Sequence, residues 1–182
     1  ADAARFLNMA TFGANVTEIV AVLTQTPGAW LETQLNLGNV TQMRPWLEAY
    51  TASLPAGSSI QQDQRVQRWY HNAVTSPDQV RQRVAWALGQ IVITSDRDDF
   101  LSNEPIMMAE WNDLIARNAL GNYQNLLREA TYSPMMGRYL TTMRNRKFEL
   151  VRTGTPPNFI FNAGNSGVQP DENYAREVMQ LF

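Results

Sequence analysis

The sequence contains no cysteine and a single histidine, His71. Disulfide bonds and thiolate metal sites are therefore excluded, and one residue would have to supply any imidazole ligand. The lack of cysteine does not fix the compartment, because many exported bacterial proteins also lack it. We assign no metal ligands from the sequence. The sequence does not identify a cofactor either.

An excess of charge and long hydrophobic runs are also lacking. The formal net charge is −2, whereas nucleic-acid-binding domains usually carry a basic excess. The most apolar run, VAWALGQIVI at residues 84–93, is about half as long as the roughly 18 residues that a membrane-spanning helix needs. It predicts a core helix instead. We therefore expect no nucleic-acid partner and no transmembrane segment.

Arginine and aromatic residues nevertheless cluster between residues 65 and 83. Such a mixture is typical of surfaces that bind single-stranded nucleic acid, but acidic residues interleave with it here and the whole chain is slightly acidic. We therefore do not assign that role to the cluster, which comprises Arg65, Arg68, Trp69, Tyr70, Arg81 and Arg83.

Hydrophobic residues make up 44% of the sequence, which is enough to form a core, and they recur at helical spacing along most of the chain. Val80, Val84 and Leu88, for example, lie at intervals of four. The pairs Ser76-Pro77 and Ser133-Pro134 predict helix starts with the serine as capping residue. The sequence thus predicts an all-α, multi-helix orthogonal bundle that forms a single domain over residues 1–182.

The helical period breaks at residues 145–170, where glycines, asparagines and adjacent prolines accumulate. Loops of more than about 15 residues are uncommon in compact domains and tend to be functional or disordered. A small β-hairpin around Phe159, Ile160 and Phe161 is compatible with this segment. After it, PDENYAREVMQLF at residues 170–182 predicts a final helix, within which the chain stops.

Polar residues flank this long loop on both sides and form the first candidate site. On a helix, Glu172 pairs with Arg176 and Asn173 with Glu177, four residues apart. One hypothesis is a functional site for which the loop is a wall or lid; the other, which the sequence favours, is a structural network that pins the two ends of the loop. The network comprises Arg144, Asn145, Arg146, Lys147, Asp171, Glu172, Asn173, Arg176 and Glu177.

Two secondary candidates lie on predicted helices. Glu110, Asp113 and Arg117 share one helical face, where two carboxylates can bind a hard cation or serve glycosidase chemistry. His71 is the obvious general base. The structural alternatives are a solvated charged face for the first group and a half-buried histidine bonded to a neighbour for the second, and the sequence favours both of these.

Several stretches, taken in order, resemble a bacterial family known as domain-of-unknown-function family 1800. They are AARFLNMATFG (3–13), SPDQVRQRVAWALGQIVITSD (76–96), LIARNALGNYQNLLREATYSPMMGRYL (114–140), NRK (145–147) and PDENYAREVMQLF (170–182). The last is the most recognisable signature of that family. Together these stretches span most of the chain.

The resemblance implies a cellular location and partners, but no chemical reaction. Members of the family are typically longer proteins that look exported, and many are encoded beside a second exported family, numbered 1501, which is similar to sulfatases. We therefore expect an exported chain, periplasmic or extracellular, that is the N-terminal part of a larger protein truncated within a helix. The expected partners are the remainder of that chain and an exported protein of the sulfatase-like family 1501.

Two functions follow as hypotheses. The first is a non-catalytic role in binding or assembly at the cell surface or in the periplasm. The alternative is a hydrolase that acts on an extracellular polymer and uses the carboxylate and basic groups near Arg146, Glu172 and Glu177. The sequence does not establish that the protein is an enzyme.

Overall fold

The computed structural model describes residues 1–145, 150–155, 157, 160–163 and 171–182. The all-α, multi-helix class is confirmed, whereas the orthogonal arrangement stays a prediction. A short 3-10 helix (Leu101–Asn103) precedes the seventh helix. The α-helices of the described residues are α1 (Asp2–Ala10), α2 (Val16–Thr24), α3 (Pro27–Leu35), α4 (Arg44–Ser53), α5 (Gln62–Thr75), α6 (Gln79–Leu88), α7 (Pro105–Asn118), α8 (Tyr123–Tyr132), α9 (Pro134–Tyr139) and α10 (Asn173–Gln180).

Two short strands lie in the segment where the helical period breaks. Strand β1 (Leu150–Thr153) pairs antiparallel with β2 (Ile160–Ala163), with Leu150 opposite Ala163 and Thr153 opposite Ile160.

Helix α7 is the centre of the core. It packs against α4, α5, α6, α8 and α9, because it is apolar on more than one face: Met108, Trp111, Leu114 and Ile115 are all buried. Burial of each such side chain stabilises the fold by roughly 1.5–3 kcal/mol. The main hydrophobic cluster therefore lies between α7 and the helices around it.

Two smaller hydrophobic clusters join the remaining helices to this centre. In one, Leu7, Val22 and Trp30 from α1, α2 and α3 pack on Val80 of α6. In the other, Leu47 of α4 packs with Ala109 of α7. Helices α6 and α7 thus connect all three clusters. Any cleft beside them is therefore bordered by helices that the hydrophobic core holds in place.

The predicted start of α6 was wrong. Ser76 ends α5 instead, since its backbone N–H donates to the Asn72 carbonyl at 2.9 Å. Helix α6 begins at Gln79 with Asp78 at the N-cap. The fully buried Asp78 carboxylate accepts the Thr41 backbone N–H at 3.0 Å and the Gln82 amide at 3.1 Å. Asp78 therefore ties the loop before α4 to the start of α6.

The predicted extent of α6 was also wrong. The apolar run at residues 84–93 was expected to form one core helix, but α6 ends at Leu88 and Gly89 is its C-cap. The chain then turns through hydrogen bonds from Gln90 to the Ala87 carbonyl and from Ile91 to the Leu88 carbonyl. Beyond this turn, Asp96 bonds to Arg65 of α5.

A buried carboxylate, that of Asp113, fixes α4 on α7. Its Oδ1 accepts the Met43 backbone N–H at 2.7 Å and its Oδ2 accepts that of Arg44 at 2.8 Å. Backbone N–H groups at the start of a helix have no acceptor within the helix itself, and the N-terminus of α4 carries a partial positive charge. Asp113, only 2% exposed, therefore caps a helix that lies about 70 residues earlier in the chain.

Burial raises the pKa of Asp113 to about 6 from its ordinary value of 3.8, although the backbone N–H groups of Arg44 and Met43 oppose the shift. The folded protein then binds the proton more tightly than the unfolded chain does. The corresponding stabilisation is fully present below pH 3.8 and is lost as the pH rises through about 6, and it amounts to roughly 3 kcal/mol.

The substitution Asp113→Asn tests this balance, because asparagine does not titrate. Relative to the variant, the wild-type protein should lose roughly 2–3 kcal/mol of unfolding free energy between about pH 4 and pH 7. Urea denaturation across this range measures the difference, and Asp63→Asn, an exposed acid on α5, is the matched control. A wild-type advantage that grows with pH would show that the helix N-terminus outweighs burial, which contradicts the prediction.

Candidate functional site

A cleft of about 270 Å³ opens beside α5, α6 and α7. We call it the tryptophan cleft. It combines charged, hydroxyl and aromatic side chains, which include Arg65, Trp69, Trp86, Thr94, Asp96 and Asp113. Its volume is close to the lower end of the roughly 300–1,000 Å³ that small-molecule sites occupy.

An ion pair forms one wall of the tryptophan cleft. Arg65 of α5 donates through Nη2 to Asp96 Oδ2 at 2.7 Å, and its Nε donates to the Gln62 side chain. Burial lowers the pKa of Arg65, while the charge of Asp96 opposes that shift. The guanidinium is therefore charged and compensated, so this wall is neutral as a whole.

The second carboxylate of the cleft, that of Asp113, is also occupied. Both of its oxygens accept backbone N–H groups of the α4 N-terminus. Above its pKa of about 6 the carboxylate therefore contributes a negative charge to the cleft, and each of its oxygens accepts one hydrogen bond. A carboxylate oxygen has two acceptor positions, so Asp96 and Asp113 can both accept further hydrogen bonds from a ligand.

Neutral polar groups complete the lining. The hydroxyl oxygen of Thr94 is buried and has no hydrogen-bond partner among the described residues. The side chains of Gln82, Gln90 and Asn112 also line the cleft, and an amide supplies both donors and an acceptor. An unpaired buried hydroxyl costs roughly 1–3 kcal/mol, so a ligand that bonds to Thr94 would recover this cost.

The two accessible tryptophans are held in place from outside the cleft. Phe12 contacts both rings edge-to-face, with ring centroids 5.5 Å from Trp69 and 6.4 Å from Trp86. The Arg83 guanidinium lies 4.7 Å from the Trp86 ring centroid and 5.4 Å from that of Phe12. Such aromatic and cation–π contacts orient the rings, so the aromatic part of the site is preorganised.

The loop that carries Phe12 is itself fixed by Thr11, which is buried. The Thr11 hydroxyl donates to the Leu7 carbonyl at 2.7 Å and accepts the Gly13 backbone N–H at 3.1 Å. Gly13 adopts a φ of 150°. The stretch ATFG at residues 10–13 therefore closes α1 and places the phenyl ring between the two tryptophans.

The sequence did not reveal this cleft. Eight of its sixteen lining residues come from residues 82–96, a stretch that includes the apolar run at 84–93 predicted to be a core helix. The cluster of arginine and aromatic residues from 65 to 83 was the available signal, since Arg65 and Trp69 belong to it. A cluster in the sequence does not show whether its residues line a cleft, because the cleft forms only when α5, α6 and α7 pack together.

The predicted polar network at the ends of the loop is brought together in part. The Asn145 side chain accepts the Asp171 backbone N–H and donates to the Asp171 carbonyl, both at 3.0 Å. The Thr141 hydroxyl also donates to the Asp171 carboxylate. This hydroxyl and the Asn173 backbone N–H hold the pKa of Asp171 below its usual value. Asn145 and Asp171 thus join the two ends of the loop.

Of the other members of the network, Asn173 belongs to this junction, whereas Glu172 and Arg176 bond to each other instead. Glu172 and Arg176 form the expected pair on α10, on the exposed surface. The Asn173 side chain donates to Thr141 at 3.4 Å, whereas a bond to Glu177 was expected. Arg144 is exposed. Arg146 and Lys147 lie outside the described residues, so the functional interpretation of the network stays a prediction.

The secondary candidate residues lie in different parts of the structure. Glu110 accepts Arg117 at 2.8 Å and Arg44 at 3.4 Å near the surface, whereas Asp113 is buried in the tryptophan cleft. His71 is exposed, not half-buried, and its Nδ1 lies 3.1 Å from the Thr75 hydroxyl. His71 does not line the cleft, so the structure does not bring these candidates into one site.

Two broader classes of site have no counterpart in the part of the chain that the structure describes. No group of three or more histidine, cysteine or acidic side chains is placed to hold a metal ion there. Across the same residues, no helix is long and apolar enough to span a membrane.

Comparisons with known proteins place the chain in a family. No curated protein and no solved structure matches it. A family model does match, over residues 5–182, which is essentially the whole chain. The resemblance carried by the ATFG, SPDQVRQR and PDENYARE stretches is thereby confirmed. The chain belongs to the family described as "Protein of unknown function (DUF1800)".

Proposed function

We propose that this chain is a non-catalytic binding protein whose tryptophan cleft holds a small, neutral, polar ligand. The observation that carries the proposal is the lining itself: tryptophan rings beside an ion pair, a second carboxylate, amides and a hydroxyl that has no partner among the described residues. Sites for small molecules combine an apolar or aromatic surface with a few polar groups that orient the ligand. The cleft has this composition.

Charge balance favours a neutral ligand. Arg65 and Asp96 compensate each other, and Asp113 is bonded to two backbone N–H groups. An anionic ligand would therefore enter the cleft without a free cationic partner. Since an unpaired charge away from water is costly, such a ligand would bind weakly.

The same contacts favour binding over catalysis. A general base or nucleophile needs a free pair of electrons within reach of the substrate. The carboxylates of Asp96 and Asp113 are engaged by donors that fix the fold, and His71 is located elsewhere on α5. Among the described lining residues, Asp96 and Asp113 are the candidate bases, and both already bond to groups that fix the fold, so we place recognition of a ligand ahead of catalysis.

The setting of this function rests on the family resemblance alone. An exported location, a role at the cell surface or in the periplasm, and a partner of the sulfatase-like family 1501 are part of the proposal on that basis. The alternative hydrolase, which requires Arg146, Glu172 and Glu177, remains a hypothesis. Arg146 lies outside the described residues, and Glu172 is paired with Arg176.

The substitution Thr94→Val tests the proposal, because it removes the unpaired hydroxyl and preserves the shape of the side chain. We expect unchanged or increased stability, since a buried unsatisfied group is lost. Affinity for a neutral ligand should fall by about 2- to 12-fold, the equivalent of one hydrogen bond.

Thermal melting and calorimetric titration with monosaccharides and inositol measure the two effects. Thr33→Val, at an exposed position on α3, is the matched control and should change neither quantity. Equal affinities for wild type and Thr94→Val would remove this hydroxyl from the binding site.

The substitution Asp96→Asn tests the charge balance. It leaves the Arg65 guanidinium without its ion-pair partner, so one wall of the cleft gains an unpaired positive charge. We expect a loss of roughly 1–3 kcal/mol of stability, because the ion pair is only partly buried, together with new binding of inorganic phosphate that raises the melting temperature.

The wild-type protein and the control Asp63→Asn should show no such effect of phosphate. Phosphate titrations followed by thermal melting compare the three proteins. Wild-type protein that binds phosphate as tightly as Asp96→Asn would contradict the neutral character of the cleft.

A further inference from the structure

The tryptophan cleft continues into a second, shallower depression of about 310 Å³. We call it the outer shelf. It shares Arg65, Trp69, Trp86 and Asn112 with the cleft, and Val66 and Tyr70 complete it. The two spaces are therefore one continuous surface, along which a ligand longer than one ring can extend.

Aromatic side chains are exposed along this surface. Tyr70 is 61% exposed and Trp86 is 41% exposed. The Trp69 ring supports Tyr70 edge-to-face, with centroids 5.1 Å apart at 81°, as Arg83 and Phe12 support Trp86. Large aromatic rings that stay accessible on a folded surface, yet are oriented by neighbours, are characteristic of binding sites.

The chemistry of the combined surface fits a sugar. A pyranose ring has C–H groups on its faces, which pack on the negative face of an aromatic ring, and hydroxyls around its edge, each a donor and an acceptor. Amides, the Thr94 hydroxyl and the Arg65–Asp96 pair match those hydroxyls without excess charge. A lipid chain would leave these polar groups unpaired, and a phosphorylated ligand would need uncompensated cations.

We propose that the ligand is a neutral oligosaccharide of at least two units, with one ring in the tryptophan cleft and the next on the outer shelf against Tyr70. This inference rests on the proposed function, which supplies the cleft as a binding site. It adds the chemical class of the ligand and a minimum length. Arg65 and Asn112, which belong to both spaces, bond to the hydroxyls nearest the glycosidic link.

Single-stranded nucleic acid also stacks on aromatic rings, but the observations favour a sugar. Binding along a phosphate backbone needs unpaired cationic groups. Arg65 is already paired with Asp96, and the guanidinium groups of Arg68 and Arg83 lie over the rings of Trp46 and Trp86. The formal charge of the whole chain is −2.

The test is a calorimetric titration of the 182-residue chain with neutral oligosaccharides of glucose, mannose, galactose, xylose and N-acetylglucosamine, from one to four units long. Inositol and a blocked neutral dipeptide are the non-sugar probes, and a short oligothymidylate represents nucleic acid. We expect at least one sugar series to gain about tenfold or more in affinity from one unit to two.

Variants assign that gain to the outer shelf. Tyr70→Ala should remove the gain from the second unit and leave the affinity for the monosaccharide unchanged. Trp86→Ala should weaken all members of the series, because Trp86 lines both spaces. Tyr132→Ala, at an 81% exposed position on α8 that lines neither space, is the matched control and should have no effect.

The outcomes separate this inference from the proposed function. Sugars that bind equally at one and at four units, or binding confined to inositol or the dipeptide, would overturn the oligosaccharide inference while the neutral-ligand function stands. Binding of the oligothymidylate alone, or of no neutral probe, would overturn both. A length gain that survives Tyr70→Ala would overturn the assignment to the outer shelf.

Discussion

The carboxylate of Asp113 joins the central helix α7 to the N-terminus of α4, which lies about 70 residues earlier in the chain. Since α7 also packs against α5, α6, α8 and α9, this contact fixes α4 relative to most of the core. It also places Met43 and Asp113 in the lining of the tryptophan cleft. The hydrogen bonds that hold α4 on α7 therefore also shape the candidate site. A substitution of Asp113 would alter both the helix packing and the cleft.

The stretches that identify the family have distinct physical roles. ATFG closes α1 and places Phe12 against both tryptophans, while the stretch from Ser76 to Asp96 supplies half of the cleft lining. PDENYARE begins at the far end of the long loop, where Asp171 bonds to Asn145. Two of these stretches thus meet at the cleft, and the third is anchored away from it by contacts within the fold.

Local pattern was enough to predict the helical class, because hydrophobic periodicity reports on one face at a time. The local pattern gave a wrong prediction where a residue can belong to either of two adjacent helices. Ser76 has the sequence of a helix start, but its N–H closes α5, and Asp78 caps α6 instead. It also failed for the cleft, since Arg65, Trp86 and Asp113 come from three helices and their convergence is a property of packing. No sequence signal separated Asp113 from its half-buried neighbour Glu110.

The cleft is one of several places where the described structure departs from simple consistency. Asp113 has its pKa raised to about 6 by burial, Thr94 has a buried hydroxyl without a partner among the described residues, and Arg65 is desolvated beside Asp96. Each of these costs stability and could be relieved by a smaller or apolar side chain. Natural proteins concentrate such costs at functional sites and compensate for them elsewhere. The three costs lie together in the cleft, and this shared location is part of the basis for the proposal that the cleft holds a ligand.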